Sequence, residues 1–177
     1  MRLAARCRTA QAHGLEHCTL AITNEGTAID SVVIGADFAI RYRIACDTHW
    51  RTRAVDVALV GSAQSLHLIA DGAGAWWLNG APATTLAGSI DVDITATPFT
   101  NTLPIRRLSL DDGESQVITV AYVSAPELTV TIHPQRYTKL SARRYRFEAL
   151  DSDFVQDLDV DEHGLVVHYP SLFEQLE

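Results

Sequence analysis

The side chains with the clearest potential for binding chemistry are four arginines placed symmetrically about a predicted turn. Arg41 and Arg43 precede Asp47, and Arg51 and Arg53 follow it. In an antiparallel hairpin centred on Asp47, Arg41 lies opposite Arg53. Arg43 then lies opposite Arg51, so that all four share one face. Like charges so arranged repel one another, and either acids on a neighbouring strand or a bound anion compensates them. Guanidinium groups bind phosphate or carboxylate in a bidentate manner, so both interpretations stay open.

Two aspartates form the second group of candidates. Asp91 and Asp93 alternate with apolar residues in the run 90–94. A strand there directs both carboxyl groups to one face, with Cα atoms roughly 6.5–7 Å apart. They are suited to pair with the arginines, and their separation also suits a general acid and base. A small enzyme acting on a sugar-like or polar substrate is therefore an alternative function, although the sequence contains none of the common catalytic or nucleotide-binding motifs.

Further polar and aromatic side chains complete a predicted rim for a ligand with a sugar-like or phosphate-like head. Trp76 and Trp77 are adjacent, so in a strand only one of them needs to pack in the core and the other is free to stack on a ligand. We take Trp76 as the binding candidate. For the charged residues, an ordinary surface position or a helix end is the competing interpretation. The remaining candidates are Thr97, Asn101, Arg106, Arg107, Arg136 and Tyr137.

Metal binding and redox chemistry are not indicated. His13 and His17 have the spacing of metal ligands on a helix, but the glycine after His13 and the strand-rich surroundings argue against a helix there. The three cysteines are odd in number and lack a C-x-x-C spacing, so neither a disulfide framework nor a zinc site is predicted. We expect no metal and no cofactor. We also expect buried, idle thiols at Cys7, Cys18 and Cys46.

Alternation of apolar and polar residues with a period of two dominates the chain and predicts a mostly β protein. In the run 38–46 one face is apolar and the other carries arginines, and the same scheme recurs in the runs 90–94, 128–132 and 145–148. The segment 97–108 lacks this alternation, and its Pro104 fits the first turn of a short helix. We therefore predict ten to twelve short strands in a roll or barrel with a single helix, because open sheet edges invite aggregation.

Size and charge limit the classes of function. The chain has 177 residues, of which 47% are hydrophobic and 20% charged, which is typical of one globular domain over residues 1–177. The net charge of −8 argues against a nucleic-acid partner. No apolar run approaches the roughly 18 residues of a membrane span, and the basic start is not followed by the apolar stretch of a secretory signal. We therefore expect a cytoplasmic protein without a transmembrane segment.

Several of these residues lie in segments that resemble the putative glycolipid-binding family, a group of bacterial proteins long described as a domain of unknown function. The longest is TPFTNTLPIRR at 97–107, and the resemblance extends from about Leu15 to Phe173. It implies a spiral β-roll, in which a long curled antiparallel sheet wraps around a single short helix. It also implies a shape similar to bacterial lipoprotein carriers and an amphipathic ligand such as a glycolipid. The other matching segments lie at 41–44, 46–47, 50–51, 91–94, 135–137, 164–166 and 169–170.

Three functions remain open at this point. The first is a non-enzymatic binding module, in which the curled sheet offers a concave apolar face and the Arg/Asp rim orients the head of an amphipathic ligand. The second is the small enzyme that uses Asp91 and Asp93 as acid and base. In the third, the helix fills the roll completely and the protein acts through its surface. The first and third require the same apolar faces, so the sequence does not separate them.

Overall fold

The first half of the chain is a series of antiparallel strands joined by short turns. A computed structural model describes residues 1–9 and 14–176. Each strand in this half pairs with the one before it, and alternation directs every second side chain to the interior. The strands are β1 (Arg2–Thr9), β2 (Leu15–Ile22), β3 (Thr27–Ile34), β4 (Ala39–Cys46), β5 (Thr52–Leu59), β6 (Ser65–Ala70), β7 (Trp76–Leu78) and β8 (Ala81–Pro82).

The second half contains the helix. A 3₁₀ turn at Phe99–Asn101 continues into α1 (Thr102–Leu108), with Pro104 in its first turn, and another 3₁₀ turn lies at Thr84–Leu86. The predicted single short helix within 97–108 is confirmed for the described residues. No helix among them is long and apolar enough to cross a membrane. The remaining strands are β9 (Asp91–Ile94), β10 (Ser115–Val123), β11 (Val130–Ser141), β12 (Arg144–Ala149), β13 (Val155–Val160), β14 (Val166–Tyr169) and β15 (Phe173–Leu176).

Within the described residues, fifteen strands form one sheet that stays open between β8 and β9. These edge strands are neighbours in sequence, joined by residues 83–90. Laid flat, the sheet would separate its edges by roughly 65–70 Å, whereas the chain from Pro82 to Asp91 spans at most about 30 Å. The sheet must therefore curl, which confirms the predicted curled sheet around a helix. It has more strands than the ten to twelve expected, because a strand of two residues such as β8 is too short to show alternation.

Strand β9 lies inside the curl and is covered on both faces. It pairs in parallel with β10, unlike the antiparallel pairing predicted for the whole sheet. Val92 and Ile94 are fully buried in a core cluster with residues of β2–β6, and Asp91 on the other face is also fully buried. The prediction that Asp91 belongs to a solvent-facing rim is therefore wrong. The curl covers the side of β9 that a flat sheet would leave open to water.

A buried ion pair ties the helix to β9. The guanidinium of Arg107 contacts both carboxylate oxygens of Asp91, with Nη2 2.6 Å from Oδ2 and Nε 2.9 Å from Oδ1. The Asp91 side chain is 0% exposed and that of Arg107 is 18% exposed. Apolar side chains complete the attachment, because Leu103 packs into the first core cluster and Ile105 into a second cluster formed with β11–β14. The helix is therefore held between the two halves of the roll.

The hairpin of β4 and β5 has a different register from the one predicted. Arg41 pairs with Ala58 and Arg43 with Asp56, instead of with arginines. The carboxylate of Asp47 accepts hydrogen bonds from two backbone N–H groups in the turn that follows it, and the register shifts where β4 ends. The prediction of two cross-strand arginine pairs is therefore wrong, because it placed the centre of the hairpin at the first residue of a wider turn.

Acidic side chains of the protein itself balance the positive charge of these arginines. Asp30 on β3 lies 2.7 Å from Arg41 and 3.1 Å from Arg43. Arg51 lies 2.7 Å from Asp47 in the turn. Of the two interpretations left open by the sequence, internal pairing therefore describes Arg41, Arg43 and Arg51, whereas Arg53 donates to a backbone carbonyl. The acids come from the neighbouring strand and the turn rather than from β9.

Replacing Arg107 with alanine should leave the Asp91 carboxylate buried without its partner. We expect Arg107→Ala to lower the free energy of unfolding by about 3–5 kcal/mol, measured by urea denaturation. The control Arg43→Ala, which removes an exposed contact with Asp30, should cost less than about 1 kcal/mol. Equal losses in the two variants would show that the buried pair does not anchor the helix.

Candidate functional site

A cavity of about 420 Å³ opens beside the N-terminal end of α1. Strands β9–β12, the segment before α1 and the ends of β14 and β15 surround it. One wall is aromatic, and the rest of the lining includes carboxyl, amide and hydroxyl groups. The lining residues are Asp93, Ile94, Thr95, Thr97, Asn101, Tyr122, His133, Pro134, Gln135, Phe147, Ala149, Asp151, Ser152, Phe154, Tyr169, Leu172 and Phe173.

Aromatic rings form one wall of the cavity. Phe147 packs against Phe154 with ring centroids 5.9 Å apart and against Tyr169 at 6.5 Å. Tyr169 in turn contacts Phe173 at 6.2 Å. These rings come from β12, β14, β15 and the turn before β13, so the wall exists only when the second half of the sheet is paired. A contiguous aromatic surface of this kind suits the apolar face of a ring or an alkyl chain.

Asp93 and Gln135 form the polar floor. The Asp93 carboxyl accepts hydrogen bonds from the Thr100 hydroxyl at 2.8 Å and from the Gln135 amide nitrogen Nε2 at 2.7 Å. Burial raises the pKa of Asp93, and these two hydrogen bonds oppose the rise. Gln135 is 2% exposed, and its carbonyl oxygen Oε1 has no hydrogen-bond partner in the described structure. Because Oε1 of Gln135 is itself buried, the acceptors that the floor presents are the carboxyl oxygens of Asp93, which retain capacity for further donors.

An oriented imidazole lies beside this floor. Nδ1 of His133 is 2.6 Å from Oδ2 of Asp151, and the imidazole ring stacks on Tyr122 with centroids 4.0 Å apart. The contact with Asp151 fixes the orientation of the ring and leaves Nε2 as the nitrogen not engaged by that carboxylate. The cavity therefore combines a carboxyl group with a raised pKa and a histidine held by a second carboxylate.

A buried carboxyl group supports the cavity from behind. Glu16 is 6% exposed and accepts hydrogen bonds from the hydroxyl groups of Ser31 at 2.7 Å, Tyr42 at 2.6 Å and Thr97 at 2.8 Å. Burial raises the pKa of Glu16, and these hydroxyl groups oppose the rise. Because Thr97 also lines the cavity, this network joins the lining to strands β2–β4.

Three of the predicted site residues come together at the cavity. Asp93, Thr97 and Asn101 line it, although they were predicted to belong to a rim with arginines. Tyr137 is fully buried and does not line it. Its hydroxyl donates to Oδ1 of Asn101 at 2.9 Å and so holds the Asn101 side chain from beneath.

Two other predicted ligand contacts are engaged within the protein. Trp76 is 3% exposed, and its indole nitrogen donates to the carbonyl of Ser89 at 2.8 Å. Its neighbour Trp77 is the exposed member of the pair, so Trp76 is not accessible for stacking on a ligand. The Arg53 guanidinium donates to the backbone carbonyl of Asp71 on the outer face.

The predicted cationic residues do not line the cavity. Arg136 lies on the opposite face of β11 from Gln135 and pairs with Glu148 at 3.2 Å. Arg107 belongs to the buried pair with Asp91. Arg106 stacks over the ring of Trp50 at 5.1 Å, near the other end of α1. The expected rim of mixed charge is therefore dispersed over separate parts of the fold.

The cysteines have the expected character. Cys7, Cys18 and Cys46 are free and buried, and burial raises the pKa of Cys7 and of Cys46 to about 12, which keeps these thiols unreactive. His13 lies outside the described residues. Among those that are described, no group of His, Cys, Asp and Glu is arranged to hold a metal ion.

The aromatic wall and the His133–Asp151 pair were not predicted from the sequence. Their residues come from strands and turns that are separated by tens of positions, and period-two alternation does not distinguish a ring in a cavity from one in a core. One signal was available for Gln135, which lies in a segment that carries the family resemblance.

Comparison with known proteins identifies the family. The family described as "Putative glycolipid-binding" matches residues 6–175. The chain belongs to this family. The solved structure of a DUF1089 family protein from Pseudomonas aeruginosa is similar to this chain, with 36% sequence identity and a TM-score of 0.80. The similarity covers 91% of this chain and 92% of that one. No curated protein matches the chain. The resemblance seen in the sequence is thereby confirmed, and the family match includes every residue that lines the cavity.

The buried carboxyl behind the cavity makes stability depend on pH. Burial raises the pKa of Glu16, Asp91 and Asp93, so the folded state binds more protons than the unfolded state above the usual carboxyl pKa. The free energy of unfolding should therefore fall as pH rises from that value through the raised pKa of these groups. Glu16→Gln should reduce this fall in urea titrations at several pH values. Glu25→Gln, in an exposed turn, is the control, and a fall of the same size in both variants would contradict the role of Glu16.

Proposed function

We propose that this protein binds an amphipathic small molecule, a glycolipid, in the cavity beside α1. The observation that carries the proposal is the combination of an aromatic wall and a polar floor in one partly open cavity. Small-molecule sites combine mostly apolar walls with a few polar groups that fix the orientation of the ligand. Membership of the glycolipid-binding family supports the same class of ligand.

The polar floor supports recognition of a hydroxyl-rich head. Asp93 offers acceptor oxygens, and the Asn101 amide and the Thr97 hydroxyl also belong to the lining where α1 approaches the cavity. Sugar hydroxyl groups both donate and accept hydrogen bonds, so they match acceptors and donors at once. The rings of Phe147 and Tyr169 offer the apolar surface on which the ring face or the first methylene groups of the lipid pack.

The size of the cavity supports a sugar ring with the start of an alkyl chain rather than a whole glycolipid. Its volume of about 420 Å³ lies toward the lower end of the range of roughly 300–1,000 Å³ for ligand pockets. Each buried methylene group adds about 0.8 kcal/mol, so a short stretch of chain against the aromatic wall contributes useful affinity. The rest of a long chain then remains outside the cavity.

Native mass spectrometry of the purified protein, followed by solvent extraction, tests this proposal. We expect a co-purified amphiphile of definite mass, or uptake of alkyl glycosides on titration. Ser152→Trp should fill the cavity and abolish uptake, because Ser152 is an exposed residue of its lining. Ser62→Trp is the matched control, since both serines lie in turns and accept a hydrogen bond from the N–H two residues later. A protein that takes up no amphiphile, or equal uptake by both variants, would overturn the proposal.

A second function, hydrolysis of the bound ligand, is favoured by one specific observation. Asp93, whose pKa is raised by burial, and His133, oriented by Asp151, line the same cavity. In its protonated form Asp93 can give a proton to a leaving oxygen, while Nε2 of His133 takes one from an attacking water. This pair replaces the two aspartates suggested by the sequence, because Asp91 is locked by its ion pair with Arg107.

Incubation of the protein with alkyl glycosides, with released alcohol measured by mass spectrometry, tests this second function. If the protein is a hydrolase, His133→Gln should lose turnover while still binding the glycoside, and His49→Gln, at an exposed histidine outside the cavity, should keep both. Absence of released alcohol with the unaltered protein leaves the binding function alone.

A further inference from the structure

The lining of the cavity carries acidic groups without a compensating lysine or arginine. Asp93 and Asp151 belong to it, and among the described residues that surround the cavity there is no basic side chain other than His133. On the basis of the function proposed above, we propose that the cavity accepts an uncharged, hydroxyl-rich head group and excludes anionic heads such as phosphate, sulfate and uronic acid. The ligand class is then a neutral glycosyl lipid.

The cations of the neighbouring elements are held on other faces. On β11, Arg136 points away from the cavity and pairs with Glu148 at 3.2 Å. On β12, Arg146 lies on the face opposite Phe147 and binds Asp157 at 2.8 Å. At the helix, Arg107 is occupied by its buried aspartate. An anionic ligand could recruit none of these guanidinium groups without breaking an existing ion pair.

The imidazole of His133 does not change the acidic character of the cavity. Its Nδ1 lies 2.6 Å from the carboxylate of Asp151, so a proton on the ring is already neutralised by that neighbour. An anionic head beside this pair would meet the carboxylate of Asp151 as well as the imidazole, with Asp93 as an additional acid on the floor. Burial of an ionised group without an opposite charge is strongly unfavourable.

Hydrogen bonding favours the same selection. The floor offers the carboxyl oxygens of Asp93 as acceptors, and each of them already accepts one hydrogen bond from within the protein, from Thr100 or from Gln135. Fully ionised phosphate and carboxylate groups are acceptors only, so they have no proton to donate to the remaining lone pairs of these oxygens. A neutral sugar supplies hydroxyl donors to the same oxygens. For the group that lies next to the carboxyl of Asp93, charge and donor capacity therefore both favour a hydroxyl group over an ionised one.

Matched pairs of short alkyl glycosides test this inference. Hexyl glucoside and hexyl galactoside have the same ring and chain as hexyl glucuronide and hexyl galacturonide, but only the uronides carry a carboxylate. With calorimetric titration at neutral pH, we expect at least one neutral glycoside to bind and its uronide to bind at least about tenfold more weakly, since the cavity supplies no cation. A uronide that binds as tightly as its neutral partner would overturn the inference while leaving the proposed function intact. Absence of binding by all four would overturn both.

Acid-to-amide variants test whether the acidic side chains of the lining cause the preference for neutral head groups. Asp93→Asn and Asp151→Asn each remove an acidic group from the lining at nearly constant volume. Each should therefore reduce the ratio between the affinity for a glycoside and the affinity for its uronide by about threefold or more. Asp151 is in an exposed turn, which keeps the test open if Asp93→Asn fails to fold. Asp37→Asn, in the exposed turn between β3 and β4, changes the net charge equally and should leave the ratio unchanged. An unchanged ratio in both lining variants would overturn the inference.

Discussion

The short connection between the two edges of the sheet is the constraint on which the rest of the structure depends. Residues 83–90 join β8 to β9, and these strands lie at opposite ends of the strand order. The connection runs close to the turn between β6 and β7, because the N–H of Gly88 donates to the carbonyl of Gly74 at 2.9 Å. A Cβ on Gly74 would lie 3.0 Å from the Gly88 Cα, so the close approach depends on glycine. The resulting curl carries β9 into the interior, where Asp91 loses contact with water and Asp93 reaches only the cavity.

The curl divides the interior into two regions that the helix fills unequally. Phe99 and Leu103 pack with β2–β6, and Ile105 packs with β11–β14. Because α1 has seven residues, it is only about 10 Å long and leaves part of the inner face of β9–β15 uncovered. The cavity lies there, beside Asn101. A completely filled roll, one of the possibilities left by the sequence, therefore describes the first region and not the second.

The parts of the fold that depend on local sequence pattern could be predicted from the sequence. The parts that depend on the curl of the sheet, which brings distant strands together, could not. Period-two alternation predicted β4, and the irregular segment with Pro104 predicted α1. The register of β4 against β5 failed because one aspartate, Asp47, organises a turn wider than a symmetric hairpin. At the site, Thr97 and Asn101 were accessible to prediction because they flank the helix. The aromatic wall was not, because it assembles from strands far apart in the chain.

The two aspartates of β9 show why spacing alone does not assign a role to a side chain. Asp91 and Asp93 share a face and lie two residues apart, so the sequence gives them the same chemistry. In the fold, Asp91 meets a guanidinium group at the end of α1 and becomes part of the framework. Asp93 meets a hydroxyl and an amide, which hold the carboxyl without neutralising it. Only Asp93 therefore remains available to a ligand. The acidic character of the cavity follows from α1 placing Arg107 against one aspartate and leaving the other without a cation.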